Sequence, residues 1–462
     1  MPDESGPYFS THSFALGSKG HPVKGVLMSK STRRNFVKAG ATIGLSATAY
    51  SRVARAVTSG PRLVIGIVGC GGRSKGLVQG FTGDADVGWA CDPDEGRAQS
   101  MQKQSRAKQT TNDLRRVLDD KSVDAIVVAT PDHWHAPAAI MACDAGKHVY
   151  VEKPCSHNLR EGQLLVQAAR RNKVVVQHGT QSRSSAFIAN AIQMLREGMI
   201  GEVLMAKGWN IQRRNNIGHA DPLSPPAGVD YDTWVGPAEM MPYQSNRFHY
   251  NWHWWHNFGT GDIGNDGAHE MDMARWGLGV KGLPSSVMAV GGKYYFDDDQ
   301  QFPDTATCAF EWPGDGTVGR RKQLIFEMRI WSGNYPYNCD TGVEFYGTKG
   351  MLFVSKRGKL QMWDDSNQLV SDPKPQNPVT PARNHQVDFL QAIADSRRPT
   401  ADIAIGHDST ALIHLANIAV RTGRSLQVDP DQQTIMNDQA ASGMLTRNYR
   451  DGGHWSVPTG TG

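Results

Sequence analysis

The sequence predicts an α/β protein with two domains. The first is a doubly wound parallel domain over residues 60–182, and the second is an α+β domain with a mostly antiparallel sheet over residues 183–382. β-Branched runs alternate with helical stretches in the first part of the chain, which is typical of a parallel sheet. Later strand-forming runs are separated by turn residues alone, which favours antiparallel pairing. Residues 383–462 return to helical periodicity before a polar tail.

Residues 1–56 predict an export signal rather than a folded segment. Arg33 and Arg34 form a twin-arginine pattern, Ala39–Ala49 is a short apolar region, and Ala54–Ala56 supplies small residues for a peptidase. The apolar region is well short of the ~20 residues that span a bilayer, and no later segment is predicted to span one. We therefore expect twin-arginine export and a periplasmic mature chain. The alternative is a basic, disordered N-terminus.

Net charge argues against a nucleic-acid partner. The whole chain has 49 basic and 45 acidic residues, but residues 1–56 hold eight of the basic and two of the acidic ones. The mature part therefore has 41 basic against 43 acidic residues, a formal charge of −2. A basic field that would attract nucleic acid is removed together with the signal.

The six cysteines are expected to be mostly packed thiols. None of them forms the CxxC spacing of metal and redox motifs. Those in or beside segments predicted to be buried are Cys70, Cys91, Cys143 and Cys155. A disulfide remains an open alternative.

A glycine-rich turn begins the first domain. Leu63–Val68 is predicted to be a strand that turns through glycines into a helix. Gly69 permits the tight turn and Gly71 lets the backbone approach a pyrophosphate, which would bind at the helix N-terminus. The third position of the G-x-G-x-x-G pattern is Ser74, which is small enough to replace glycine. The candidate ligands of a dinucleotide here are Gly69, Gly71, Gly72 and Arg73.

Asp92 ends the second predicted strand, about twenty residues after the glycine turn. A carboxylate at this place accepts hydrogen bonds from the adenine ribose and repels a 2′-phosphate. The sequence therefore favours NAD over NADP. The alternative for Asp92 is a helix cap or a turn residue.

Three more runs, VDAIVVATP, KHVYVEKP and KVVVQHG, continue the parallel sheet. They carry Thr130-Pro131, then His135, and the segment Glu152-Lys153-Pro154 at a strand end. In this combination the chain resembles the Gfo/Idh/MocA oxidoreductases, closely from Leu63 to Val176 and more loosely to the C-terminus. The further candidate cofactor ligands are Thr130, Pro131, His135, Glu152, Lys153 and Gln181.

The resemblance implies a Rossmann domain that binds NAD(P), an open sheet packed against it, and homo-oligomers formed through that sheet. It also places the lysine of Glu-Lys-Pro beside the nicotinamide and the substrate hydroxyl, commonly before a cis proline. Lys153 is therefore a candidate catalytic residue. An ammonium near a cationic nicotinamide has a depressed pKa, which suits proton shuttling. The alternative is a surface lysine at a strand end.

The segment NWHWWHNFGTGDIGNDGAHEMDMARWGLG is the predicted source of further chemistry. Asp266, His269 and Asp272 recur at three-residue intervals on one predicted helix face. His269 is a candidate catalytic base or acid, because the unperturbed pKa of histidine is about 6.5. The family that the chain resembles usually has Asp four positions before this histidine, where this chain has Asn265. The alternative is a helix capped by Asp266, with His269 packed between the domains.

Five residues are candidate substrate ligands: Asn265, Asp266, Asp272, Trp254 and Arg183. A tryptophan can stack on the C–H face of a sugar, although core packing is the alternative for Trp254, as solvent exposure is for Arg183. No metal site is predicted at His249, His253 and His256. Their spacing lacks a matched carboxylate, and hydride transfer to NAD requires no metal.

Three functions are compatible with these residues. We expect an NAD-dependent oxidoreductase that acts on a CH–OH group of a sugar, polyol or glycoside and holds its cofactor tightly. The first alternative is an NAD-dependent glycoside hydrolase or lyase, which oxidises the sugar transiently and then eliminates the glycosidic oxygen. The second alternative is a sugar-binding protein without catalysis. Retention of Lys153 and His269 argues against the second alternative.

Overall fold

The structure is a computed structural model that describes residues 62–315, 317, 319–371, 382–452 and 455. The predicted export signal lies outside the described residues, so the signal and the periplasmic location stay predictions. The described residues form two sheets, one parallel and one mostly antiparallel. This arrangement confirms the predicted fold class.

Six strands form the sheet of the first domain: β1 (Leu63–Val68), β2 (Ala85–Cys91), β3 (Gln109–Thr111), β4 (Ala125–Val128), β5 (His148–Val151) and β6 (Val176–His178). The helices between them are α1 (Gly72–Phe81), α2 (Glu95–Ser105), α3 (Leu114–Asp119), α4 (Asp132–Asp144) and α5 (Leu159–Arg171). The strands are parallel in the order β3-β2-β1-β4-β5-β6. The order in which the strands are added to the sheet reverses between β1 and β4. At such a switch point, open α/β sheets bind ligands beside the carboxyl ends of the strands.

Side-chain caps are present on α2, α3 and α5 but not on α1 or α4. Asp94, Asp113 and Asn158 each accept a hydrogen bond from a backbone N–H at the start of α2, α3 and α5. Such caps satisfy N–H groups that have no partner inside the helix. The residue before α1 is Gly71, and no side chain caps that helix.

Ten strands form the second sheet: β7 (Val203–Ile211), β8 (Ser286–Gly292), β9 (Thr305–Trp312), β10 (Lys322–Arg329), β11 (Thr341–Gly347), β12 (Gly350–Ser355), β13 (Lys359–Asp364), β14 (Leu369–Ser371), β15 (Leu426–Asp429) and β16 (Thr434–Met436). Their order is β14-β13-β12-β11-β7-β10-β9-β8-β15-β16. β7 and β10 pair in parallel, and the other neighbouring strands of this sheet pair antiparallel. The helices before and beside the sheet are α6 (Ala186–Arg196), α7 (Tyr231–Val235), α8 (Gly261–Asn265) and α9 (Gly267–Leu278).

The C-terminal part contains helices that return to the first domain, as predicted. α10 (Ala382–Ala394) packs against α1, and α11 (Ile403–Thr422) packs against both α5 and β8. The sequence analysis missed the hairpin of β15 and β16, which extends the second sheet before the short helix α12 (Gln439–Gly443). Leu426 and Val428 are buried against that sheet, and this burial fixes the hairpin at its edge.

Among the described helices, α11 alone is long and apolar enough to cross a membrane. Most of this helix is buried inside the protein, where its apolar residues join the core between the two domains. Its position in the core accounts for its apolar composition, so we do not assign this helix as a membrane span.

Residues 212–260 connect β7 to α8 and form a segment that we call the strap. The strap lies across the carboxyl ends of the first sheet. Glu95 N donates to Gly228 O at 3.0 Å, and Asp230 N donates to Pro93 O at 2.9 Å. The second domain therefore supplies a cover for the groove of the first domain.

All six cysteines are buried as free thiols, which confirms the prediction of packed thiols. The predicted formation of homo-oligomers stays a prediction.

Candidate active site

A cavity of about 520 Å³ lies between the carboxyl ends of the first sheet and the strap. The strap contributes Thr233, Trp234, Tyr250, Trp252 and His253 to its wall. The predicted cofactor ligands that line it are Gly69, Gly71, Gly72, Arg73, Asp92, Thr130, Pro131, His135, Glu152 and Lys153. A ligand in this cavity therefore contacts both domains.

The turn between β1 and α1 requires glycine at its first position. Gly69 has a φ of +83°, and a Cβ added there would lie 2.7 Å from the backbone of Ala129 and of Thr130. No atom lies within 4 Å of a Cβ built on Gly72. Because no side chain caps α1, the N-terminus of that helix is open to the cavity. This turn fits the pyrophosphate of a dinucleotide.

Ser74 occupies the third position of the glycine pattern. Its side chain is fully buried, and its hydroxyl donates a hydrogen bond to Gly69 O. The hydroxyl of Ser74 therefore stabilises the turn by a buried hydrogen bond, and the turn forms with serine in the place of the third glycine.

Asp92 follows β2 and lines the cavity. Its Oδ2 accepts a hydrogen bond from Cys70 N at 2.6 Å and its Oδ1 accepts one from Asp94 N at 2.8 Å. Burial raises the pKa of Asp92, while these two hydrogen bonds oppose the rise. Each carboxylate oxygen keeps a second acceptor position for a ribose hydroxyl. The position of Asp92 therefore fits NAD.

Glu152 is buried after β5 and holds several cofactor-side residues together. Its Oε1 accepts hydrogen bonds from Arg73 Nε at 2.8 Å and Gln181 Nε2 at 3.1 Å. Burial would raise the pKa of Glu152, but the charges of Arg73 and Lys153 lower it overall. Gln181 also donates to Tyr150 Oη and does not line the cavity. Gln181 therefore supports Glu152, and its predicted role as a direct cofactor ligand stays a prediction.

His135 joins the two motifs on which the family resemblance rests. Its Nδ1 lies 2.6 Å from Pro154 O and its Nε2 lies 2.9 Å from Thr130 O. The Lys153–Pro154 peptide bond is cis, as the resemblance implies. His135 therefore fixes the turn before α4 against the Glu-Lys-Pro segment.

Lys153 and Asn265 meet inside the cavity. The Lys153 ammonium donates to Asn265 Oδ1 at 2.9 Å and to the backbone oxygen of Asn265. Lys153 belongs to the first domain and Asn265 ends α8 of the second domain. The predicted catalytic lysine is thus held by a neutral amide, at the position where the resemblance implies a carboxylate.

Asp266 is directed to a second cation rather than to the cavity. Its carboxylate accepts hydrogen bonds from Gln212 and Arg214, and Arg214 also donates to Asp262 Oδ1 at 2.9 Å. Burial would raise the pKa of Asp266, but Lys153 and nearby cations lower it to about 2. Asp266 therefore fixes Arg214 and is not among the residues that line the cavity, and its predicted substrate contact stays a prediction.

His269 lies in the first turn of α9, near both Lys153 and Lys356. Burial and the positive charges of these two lysines hold its pKa well below the ordinary value. Its Nδ1 is buried without a hydrogen-bond partner among the described residues. His269 is not among the residues that line the cavity, so its pairing with Lys153 in catalysis stays a prediction.

Arg183 and Asp272 form a buried pair instead of binding substrate. Arg183 Nε donates to Asp272 Oδ2 at 2.8 Å, and Ser409 Oγ donates to Asp272 Oδ1 at 2.7 Å. Asp272 is fully buried, and the side chain of Arg183 is 8% exposed. Neither residue lines the cavity. Their predicted substrate contacts are therefore corrected to a structural ion pair that joins α9 to the segment after β6.

The aromatic residue predicted to contact sugar is also corrected. Trp254 is buried outside the cavity, and its Nε1 donates to Asp262 Oδ2 at 2.8 Å. Trp252 and Tyr250 line the cavity instead. The sequence analysis missed Tyr250 and treated Trp252 mainly as a packing residue. The only available signal was the density of aromatic residues just before α8.

The three neighbouring histidines are separated in the structure. His249 Nε2 lies 3.4 Å from Asp94 Oδ2, His253 Nδ1 donates to Tyr250 O, and His256 contacts Gln301 O. In the part of the chain that the structure describes, no three His, Cys, Asp or Glu side chains are arranged to hold a metal ion.

Comparison with known proteins extends these observations. Three relatives match part of the chain. Levoglucosan dehydrogenase of Pseudarthrobacter phenanthrenivorans is 28% identical over 39% of this chain and 39% of its own length. The scyllo-inositol 2-dehydrogenase (NAD(+)) of Bacillus subtilis is 27% identical over 61% of this chain and 69% of its own length. The α-N-acetylgalactosaminidase of Shewanella oneidensis is 29% identical over 37% of this chain and 44% of its own length.

The matches therefore span less than half the length of two of these relatives. The crystal structure of a levoglucosan dehydrogenase with NADH and levoglucosan has a TM-score of 0.60 at 20% identity. It covers 79% of this chain and 99% of that protein, and it shows a shared fold.

Family models match most of the described chain. The model of the oxidoreductase family with an NAD-binding Rossmann fold matches residues 63–180. The model of the C-terminal α/β domain of that family matches residues 203–309 and 334–457. The chain therefore belongs to the Gfo/Idh/MocA oxidoreductase family, and its first domain is an NAD-binding Rossmann domain.

Proposed function

We propose that this protein is an NAD-dependent oxidoreductase acting on a CH–OH group of a sugar, polyol or glycoside. One observation carries the proposal: a single cavity joins the open N-terminus of α1 to the Lys153 ammonium. NAD, when bound, supplies the hydride acceptor. The relatives named as sugar and inositol dehydrogenases support this substrate class.

Two residues have separate roles as the substrate hydroxyl loses its proton. The Lys153 ammonium stabilises the negative charge that develops on the substrate oxygen as its proton leaves. His269 is the predicted acceptor of this proton; it lies near Lys153 but outside the cavity wall, and burial and the lysine charges hold its pKa well below the ordinary value. The Trp252 ring offers an apolar face to the C–H groups of the sugar.

We further propose that the protein acquires NAD before export and then retains it. The twin-arginine pattern in residues 1–56 favours transport of a folded chain. The strap covers the cofactor groove and forms hydrogen bonds to the residues around Asp94, so release of NAD requires these contacts to open. Purification of nucleotide-free protein from the periplasm, with activity that depends on added NAD, would contradict this proposal.

The function is tested by identifying both the nucleotide and the product. Purified protein is denatured, and the released nucleotide is identified by chromatography. Free sugars, polyols and glycosides are then incubated with native protein, with and without an added electron acceptor, and products are analysed by mass spectrometry. We expect released NAD and an oxidised sugar. Absence of a nicotinamide nucleotide, together with no product when NAD is supplied, would reject the function.

A second candidate function is glycoside cleavage without net oxidation. The partial match to an α-N-acetylgalactosaminidase favours it. Transient oxidation of a sugar carbon acidifies the neighbouring C–H, and the glycosidic oxygen then leaves by elimination. Release of the aglycone without accumulation of NADH or of oxidised sugar distinguishes this reaction from the first.

A further inference from the structure

Tyr250 is an exposed aromatic residue in the wall of the cavity. Its side chain is 53% exposed, although its ring packs against those of His253 and Trp254. The hydroxyl lies at the end where Lys153 and Asn265 meet. None of the roles assigned to Lys153, His269 and Asp92 uses this phenol.

One donor, Arg214, occupies an acceptor position of the phenol oxygen. Arg214 Nη1 donates to Tyr250 Oη at 2.8 Å, and Arg214 is itself fixed by Asp262 and Asp266. Asn265 accepts from the Lys153 ammonium through Oδ1 at 2.9 Å, and it lines the same cavity wall as Tyr250.

The phenol still has its own hydrogen to donate in a hydrogen bond. A phenol has one hydrogen to donate and two acceptor positions, and Arg214 takes one of the acceptor positions. No acceptor for the hydrogen is present among the described residues. Burial raises the pKa of Tyr250, so the hydroxyl stays protonated at neutral pH.

We propose that the Tyr250 hydroxyl binds the substrate directly, by donating a hydrogen bond to an oxygen next to the oxygen that Lys153 contacts. This inference rests on the proposed function for the class of substrate. Lys153, Asn265 and Tyr250 line the same cavity, so the ammonium and the phenol are placed to donate to two oxygens of one substrate. Tyr250 therefore selects sugars and polyols with an oxygen on the carbon adjacent to the reacting one.

The test compares wild type and Tyr250→Phe, each with the best sugar substrate and with its monodeoxy analogues, as in a double-mutant cycle. Phenylalanine keeps the ring contacts and removes only the hydroxyl. We expect Tyr250→Phe to lower kcat/KM for the parent sugar by about 3- to 30-fold, the range for one hydrogen bond to a partly buried group. For one deoxy analogue, the wild type and Tyr250→Phe should be equally active, because that analogue lacks the acceptor and the hydroxyl then has no hydrogen bond to lose.

Binding is measured alongside turnover, by calorimetry on protein of known NAD content. If the protein binds sugars without oxidising them, the proposed function fails, but the same cycle in Kd still decides the role of Tyr250. The control Tyr294→Phe removes a hydroxyl from an exposed tyrosine outside the cavity and should behave as wild type. Unchanged constants in Tyr250→Phe, or equal losses with every deoxy analogue, would overturn the inference.

Discussion

The two ends of the cavity are built in different ways. At the end near β1, the ligand-facing groups are the backbone of Gly69, Gly71 and Gly72 and the uncapped start of α1. At the other end, Lys153 comes from the first domain and Asn265 from the second. We call these the turn end and the interdomain end.

The difference shows how binding and chemistry depend on the fold. The turn end needs only one strand, one turn and one helix, since backbone N–H groups bind a phosphate without a specific side chain. The interdomain end exists only when the strap and α8 lie against the first sheet. A change at the turn end should therefore affect cofactor content, whereas a change at the interdomain end should affect turnover.

The largest expected effect belongs to the interdomain end. Lys153→Ala removes the ammonium that contacts the reacting oxygen, and we expect the rate of sugar oxidation to fall by about 10²- to 10⁴-fold. Bound NAD, measured after denaturation, should stay at the wild-type amount. Lys103→Ala, at an exposed position in α2, is the control and should leave the rate unchanged. Unaltered turnover in Lys153→Ala would reject the assignment of this lysine.

The next effect concerns the turn end. Gly69→Ala places a Cβ 2.7 Å from the backbone of Ala129 at a φ of +83°, and we expect it to destabilise the fold by about 3 kcal/mol. NAD content should fall with it, because the turn must shift away from the phosphate. Gly76→Ala is the matched control, since this exposed glycine of α1 lies outside the cavity and an added Cβ has open space around it. Thermal unfolding and nucleotide analysis check both variants, and equal behaviour would contradict this account of the turn.

A smaller effect concerns the contact between the first domain and the strap. His133 is buried in α4, with Nε2 3.0 Å from Trp234 O of the strap. Burial, aided by Arg447, lowers the pKa of His133 to about 3. In the unfolded chain the histidine takes up a proton below about pH 6.5, whereas in the folded protein it does so only near pH 3. Its contribution to stability is therefore complete above pH 6.5 and is lost as the pH falls from 6.5 towards 3.

At pH 5 this loss amounts to about 2 kcal/mol. Thermal unfolding between pH 7 and pH 4 measures it, and His133→Asn should make the dependence on pH less steep. His219 is exposed, and a hydrogen bond to Asp299 raises its pKa. His219→Asn is therefore a control of opposite sign: a raised pKa adds stability below about pH 6.5, so its loss should make the dependence on pH slightly steeper. The same pH dependence in His133→Asn as in the wild type would show that this histidine does not contribute.

The sequence by itself determined the first domain, the antiparallel character of the second sheet, and the turn end of the cavity. Gly69, Asp92 and Lys153 follow local rules, because a positive φ, a strand end and a strand-end motif are each written in a few neighbouring residues. The family resemblance added the cis bond before Pro154. These features need no knowledge of distant parts of the chain.

Tertiary structure alone decided which polar side chains are left for a ligand. Asp272 has the sequence spacing of a ligand, yet Arg183, 89 positions away, takes up its carboxylate. Tyr250 and Trp254 lie in one aromatic run, but only the contacts of the strap place Tyr250 in the cavity and Trp254 in the core. The physical reason is that burial and partner choice depend on residues brought together from far along the chain, which local periodicity does not encode.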